Sequence, residues 1–337
     1  MVGAGFASGQ EVLQFFGFFG LTGYAGLAVA AALFVFFGYL VLELGYQTGA
    51  VSHLKVVRRI GGRFVGTALD WLIVFFLFGA LSAMAAGSGA IFQQQLGFPS
   101  IFGSLLMVAF AVLTVLTGLR GVISAISLVT PFLLAAVLGL GIYTLVTIPP
   151  NLQSVEIVSD PAKAPVPIWP LSALVYVSFN LVLSVSVLAP LGAAADKGRD
   201  RRLGALFGGL GLGLGAMAVH TAVLSGFPRS AVMDVPMGEV AARFGAGVGV
   251  IYSVVLLAEV YTTAVADLYG FTARFFDPGS RRFKAAVIGV GLAALGASQI
   301  GFTTIVRVVY SAVGYAGLVF LGALVVAFIR RKQGRPD

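Results

Sequence analysis

The chain contains no cysteine, which excludes disulfides, thiolate metal sites and thiol nucleophiles. It has two histidines, His53 and His220, too few for a histidine-rich metal centre. Charge is scarce as well. Asp, Glu, Lys and Arg make up 10% of the 337 residues, against about 25% in an ordinary soluble domain. A soluble fold of this length needs polar surface that the sequence does not supply. No basic stretch followed by an apolar run and a small-residue cleavage site opens the chain, so no signal peptide is expected. Nucleotide motifs, metal-ligand clusters and catalytic triads are missing too. LFGGLGLGLG at 206–215 has no Gly-Lys-Ser/Thr after it and reads as close helix packing through small residues. No cofactor is expected.

What the chain does have is apolar length. Hydrophobic residues make up 59% of it, and mean hydropathy is +1.01. A spanning helix needs about 20 mostly apolar residues. Such runs fall at roughly 22–48, 66–96, 101–118, 122–148, 169–194, 203–224, 247–272, 285–300 and 303–329, after an apolar but broken segment at 2–19. The stretches between them are basic or turn-forming: HLKVVRRIGGR, FPS, LRG, DKGRDRR, FPRSAVMDVPMGE and RFFDPGSRRFK. The fold expected is an all-α polytopic membrane protein of about ten spans.

Charge supports that number. If each run crosses once and RRKQGR lies inside, 17 of the 21 basic residues fall in inside segments. Among them are Lys55, Arg58, Arg59, Arg63, Arg120, Lys197, Arg201, Arg202, Arg274, Lys284 and Arg335. This is the bias of the positive-inside rule, and a shift by one span would reverse it. The net charge of +8 is therefore read as basic cytoplasmic loops, not as a nucleic-acid surface. The expected location is a bacterial inner (cytoplasmic) membrane, with a cytoplasmic C-terminus.

The spans also repeat in order. Spans 1 and 6 are interrupted by polar residues, 4 and 9 are short, and 5 and 10 are long. Five is odd, so a second set of five sits inverted relative to the first, with halves at 1–148 and 169–329 in a single transmembrane domain. Inverted repeats of this kind build many secondary transporters.

An ionisable side chain in lipid costs several kcal/mol unless it is paired or wetted. Three places matter. In MVGAGFASGQE, Gly3, Gly5 and Gly9 each weaken a helix by about 1 kcal/mol relative to alanine. Ser8 and Glu11 have capping-box spacing, with Ser8 taking the Glu11 amide and Glu11 reaching back to the Ser8 amide. A helix start at that depth implies a broken helix; Glu11 is either a cap alone or part of a site. In span 6, Ser178, Asn180, Ser184 and Ser186 precede Pro190. They either bond across helices or mark a second break around Ser178–Asn180. In span 8, Glu259, Thr263 and Asp267 are spaced i, i+4, i+8 beside Thr262, a stripe about 12 Å long. Such a stripe should line a cavity and carry a proton or small cation. Asp267 has the alternative of pairing with a basic residue near the inner surface. Glu43 and Asp70 lie near inner span ends, where loop arginines suffice as partners. His220 reads as polar packing, and Arg307 as a side chain that snorkels.

VGAGFASGQE, YVSFNLVLSVSVLAPLG and AEVYTTAVADLYG together resemble the YkvI-type bacterial membrane proteins over essentially the whole chain. That group is related to the amino acid–polyamine–organocation transporters, which share the LeuT fold of two inverted five-helix repeats. The resemblance implies that the unwound middles of helices 1 and 6 hold the substrate. It carries substrate contacts onto Gly3, Ala4, Gly5, Phe6, Ala7 and Ser8, and onto Ser178, Phe179 and Asn180. Sodium-coupled relatives use helix-8 hydroxyls, which places a sodium site at Thr262 and Thr263. Glu259 is foreign to that sodium pattern and favours a proton. Glu11, Glu259, Thr262, Thr263 and Asp267 are thus the candidate coupling residues. In the family a half-helix precedes the glycine motif, whereas Met1 sits directly on it. The first span is therefore expected to be truncated at its inner half, with Met1 standing at an internal position of a longer chain.

The function expected is secondary transport of a small organic solute, an amino acid or amine, coupled to protons or sodium. The alternative is a solute-sensing subunit on the same scaffold, like a germination-receptor component, without vectorial transport. An enzyme is disfavoured, because Glu259 and Asp267 are too far apart along one helix to act on one bond.

Overall fold

The computed structural model describes residues 3–50, 53–118, 132, 135–195 and 197–332, with backbone only at Ala4, His53, Leu54, Ser186, Arg331 and Lys332. Arg120, Arg335 and most of 122–134 lie outside the described residues.

The helices, in order, are α1 (Ala4–Ser8), α2 (Gln10–Phe15), α3 (Thr22–Thr48), α4 (His53–Leu96), α5 (Ser100–Leu116), α6 (Ala135–Thr147), α7 (Leu152–Val158), α8 (Trp169–Ala194), α9 (Gly198–Ser225), α10 (Pro236–Ala242), α11 (Ala246–Phe275), α12 (Arg281–Ser298), α13 (Phe302–Ile305) and α14 (Ser311–Lys332). A π-helical turn, Val306–Tyr310, joins α13 to α14. Among the described residues, α3, α4, α9, α11 and the α13–α14 unit are each long and apolar enough to cross a membrane. The bent pairs α6–α7 and α8 bring these to seven. The other expected spans are the split α1–α2, the 17-residue α5 and α12, whose start is basic.

The surface differs from that of a soluble protein. Phe64, Phe207, Ile251 and Leu292 are exposed, while Gln10, Gln14, Glu259 and Asp267 are buried. Lipid is the solvent that accepts such a surface.

Small residues set the closest contacts. A Cβ on Gly45 of α3 would strike the Ala189 backbone of α8, and one on Gly192 of α8 would strike the Leu42 backbone of α3. On α9 the glycine stripe divides. Gly209 and Gly213 pack on Val35 and Ala31 of α3, while Gly204, Gly208 and Gly211 have no neighbour to meet a Cβ. Ser88 donates to the Gly103 carbonyl (2.9 Å) and Ser104 to the Ala85 carbonyl (2.8 Å), which ties α4 to α5.

Two expectations need correction. The basic stretch 53–63 is helical up to a break at Gly62, where φ is 64°, because its apolar positions Val56 and Val57 are buried. The sixth span is continuous through Ser178–Asn180, and its 61° bend falls between Val185 and Val187. Pro190 explains that position: it has no N–H for the Ser186 carbonyl, and its ring crowds that carbonyl. Upstream, Asn180 donates to the Tyr176 carbonyl (3.0 Å) and Ser184 to the Asn180 carbonyl. These polar groups are satisfied along their own helix and do not break it.

Candidate functional site

The first span breaks at Gly9, the residue whose φ of 81° suits glycine. The unwinding expected across Gly3–Ala7 is absent, since residues 4–8 form a helical turn. The capping box is corrected in the same way. The Ser8 hydroxyl donates to the Gly5 carbonyl (2.8 Å) and accepts from the Gln10 amide (3.2 Å), not from Glu11. Ser8 thus stitches the two short helices across the break. Glu11, in the first turn of α2, lies against Gly5, where a Cβ would collide with its carboxyl.

A cavity of about 680 Å³ starts at this break. Its walls include Gly3, Gly5 and Glu11 of the first span, Phe179 and Asn180 of α8, and Glu259, Thr262, Thr263 and Asp267 of α11. It runs past Leu42 and Leu188 to Gly204, two residues from Arg202 at the basic start of α9.

The α11 stripe faces this cavity as its spacing predicts. Glu259 and Asp267 are 3% and 7% exposed. Glu259 Oε2 and Asp267 Oδ2 have no hydrogen-bond partner among the described residues. The Thr262 hydroxyl donates to the Glu259 carbonyl (3.0 Å), which leaves its oxygen lone pairs available.

The other predicted contacts lie elsewhere. Phe6 is buried against Gly215 of α9. Ala7 is buried, and its carbonyl accepts from Tyr252 (2.5 Å). Ser178 points at Gly317 of α14, off the cavity wall. Ala4 belongs to α1, with its side chain outside the described residues.

Sequence reasoning missed Phe34, Met84 and Tyr310, which also line the cavity. Nothing in their apolar surroundings marked them. Tyr310 ends the π turn, a feature that recurs at functional sites. Its ring lies 5.2 Å from Phe179 and 5.0 Å from Phe76, centroid to centroid. Phe179 meets Tyr176 at 5.3 Å, and Tyr176 meets Phe16 at 5.0 Å.

Further hydrogen bonds link the segments around the break. Ser172 donates to the Phe15 carbonyl (2.7 Å). Gln10 donates to Thr303 (2.8 Å), which donates to Asp234 (2.5 Å). Gln94 both donates to and accepts from Val235 at the start of α10 (3.0 and 3.2 Å). Gly9 packs on Met237 and Val223.

The remaining buried charges are paired. Arg201 bonds Glu43 (3.0 Å) and the Ala195 carbonyl (2.5 Å), and stacks 3.8 Å from the Tyr46 ring centroid. Arg274 forms an ion pair with Asp70. His220 bonds the Gly20 carbonyl (3.1 Å) and packs on Tyr24, as its polar-packing reading predicts.

No protein-family model matches the chain. It is 29% identical to the uncharacterized membrane protein YkvI of Bacillus subtilis strain 168 over 342 residues, covering 99% of this chain and 94% of that one. It is 24% identical to the uncharacterized protein YyaD of the same organism, covering 97% and 93%. Among solved structures it matches MhsT in complex with L-phenylalanine, with a TM-score of 0.61 at 16% identity over 94% of this chain and 88% of that one. The chain is a polytopic membrane protein with the LeuT-like fold that its first, sixth and eighth spans imply.

Proposed function

We propose that the protein is a secondary active transporter of a small organic solute, an amino acid or amine, working by alternating access. One observation carries this reading. A single cavity joins the break in the first span, the Phe179–Asn180 face of the sixth and the carboxyl–hydroxyl stripe of the eighth. Solute and coupling ion share such a place in transporters built on broken helices. The similarity to MhsT with bound L-phenylalanine agrees with a solute of that size.

In this reading the halves 1–148 and 169–329 are the two inverted repeats. The basic segments face the cytoplasm, across a bacterial cytoplasmic membrane. The cavity then faces the cytoplasmic side, with the outer side shut by the α10 contacts. Outward opening requires release of Tyr252 from Ala7 and of Gln10 from Thr303. The bends at Gly9 and near Ser186 supply the joints.

Coupling is assigned to Glu259, with Asp267 next along the stripe toward the cytoplasm. A carboxyl oxygen without a fixed partner can gain and lose a proton as the cavity changes sides. Thr262 and Thr263 are the places for a sodium ion if sodium is the coupling ion instead.

Purified protein in liposomes provides the test. Uptake driven by an imposed pH gradient is expected, and Glu259→Gln should abolish the dependence on that gradient. Gradient-independent flux in both proteins would remove the proton assignment. Solute binding with no flux under either a proton or a sodium gradient would favour the sensing subunit.

A further inference from the structure

The ionisable side chains that line the cavity are acidic. Glu11, Glu259 and Asp267 line it, and no Lys, Arg or His does so among the described residues. Glu259 Oε2 and Asp267 Oδ2 are buried without hydrogen-bond partners. Elsewhere this chain gives its buried carboxylates arginines, as at Glu43 and Asp70. In the cavity it withholds them.

The helix start at the break adds a second observation. The Gln10 amide is taken by Ser8, and Glu11 sits in the first turn with its carboxyl over Gly5. A solute carboxylate brought to α2 would meet the Glu11 carboxyl already in place. Around these groups stand the rings of Phe34, Phe179 and Tyr310, and aromatic faces attract ammonium groups.

We infer that the cavity takes a small organic ammonium with an apolar body and no carboxylate. Glu259 receives the ammonium, the aromatic rings flank it, and Glu11 excludes the carboxylate of an amino acid. This deepens the proposed function and rests on its placement of the solute site.

Matched pairs that differ by one carboxylate test it: 2-phenylethylamine against L-phenylalanine, and isopentylamine against L-leucine. Each is titrated calorimetrically into full-length protein in detergent at neutral pH. The amine of each pair is expected to bind at least about tenfold tighter than its parent amino acid. Glu259→Gln should weaken amine binding by a similar factor, and Glu11→Gln should narrow the gap within each pair. Equal or tighter binding of the amino acids overturns the inference, as does failure of both amines to bind. Unchanged amine affinity in Glu259→Gln overturns the role of that residue. The wild-type pairs carry the test even if a variant fails to fold. Because binding is read without a gradient, amine binding without flux would sink the transporter reading and leave this inference standing.

Discussion

Among the described residues, four of the five buried carboxylates divide into two kinds. Glu43 and Asp70 are 8% and 5% exposed, Glu259 and Asp267 3% and 7%. Depth does not separate them, but partners do. Glu43 and Asp70 each hold an arginine from another helix, joining α3 to α9 and α4 to α11. Glu259 and Asp267 each keep one oxygen unpartnered beside a cavity. The first pair can be understood as construction. The second pair carries the cost of burial with one oxygen each unpartnered, as the proposed coupling role requires.

Substitution should sharpen this contrast. The largest effect is expected at Glu43→Ala, which removes the carboxylate partner of the 6%-exposed Arg201 side chain. Breaking a buried pair from one side costs about 3–5 kcal/mol, and thermal unfolding in detergent should show a clear drop. Asp70→Ala should cost less, about 1–2 kcal/mol, because Arg274 is 40% exposed and water takes over part of its charge. Glu259→Gln should leave the melting temperature unchanged or raised while abolishing gradient-driven flux. A loss of stability there as large as that at Glu43 would erase the distinction. Asp267→Asn should be the mildest of the four, with stability kept and flux slowed rather than stopped.

Much of this was legible in the sequence, because membranes impose simple rules. Apolar length located most of the long helices. The i, i+4, i+8 spacing put Glu259, Thr263 and Asp267 on one cavity face. The arginine partners of Glu43 and Asp70 followed from their depth, although which arginine did not. Local backbone detail was less legible. Three glycines and a capping-box pattern suggested unwinding over Gly3–Ala7, yet only Gly9 has the left-handed conformation that ends a helix. The serines and Asn180 of span 6 resembled a break, but hydroxyl and amide groups can bond back to their own helix. The bend followed the proline instead, because a missing N–H has no such remedy. Tyr310 stayed hidden, since a π turn leaves no pattern in an apolar run.

The glycine contacts between α3 and α8 have a mechanical consequence. Gly45 lies on the Ala189 backbone and Gly192 on the Leu42 backbone, both beyond the bend in α8. Two backbones in direct contact have no side-chain cushion to shear, so they form one stiff strut. If the last turns of α8 swing about the bend, they carry the end of α3 with them, and with it Glu43 and the Arg201 clasp on α9. A hinge in one helix would thereby become the displacement of three.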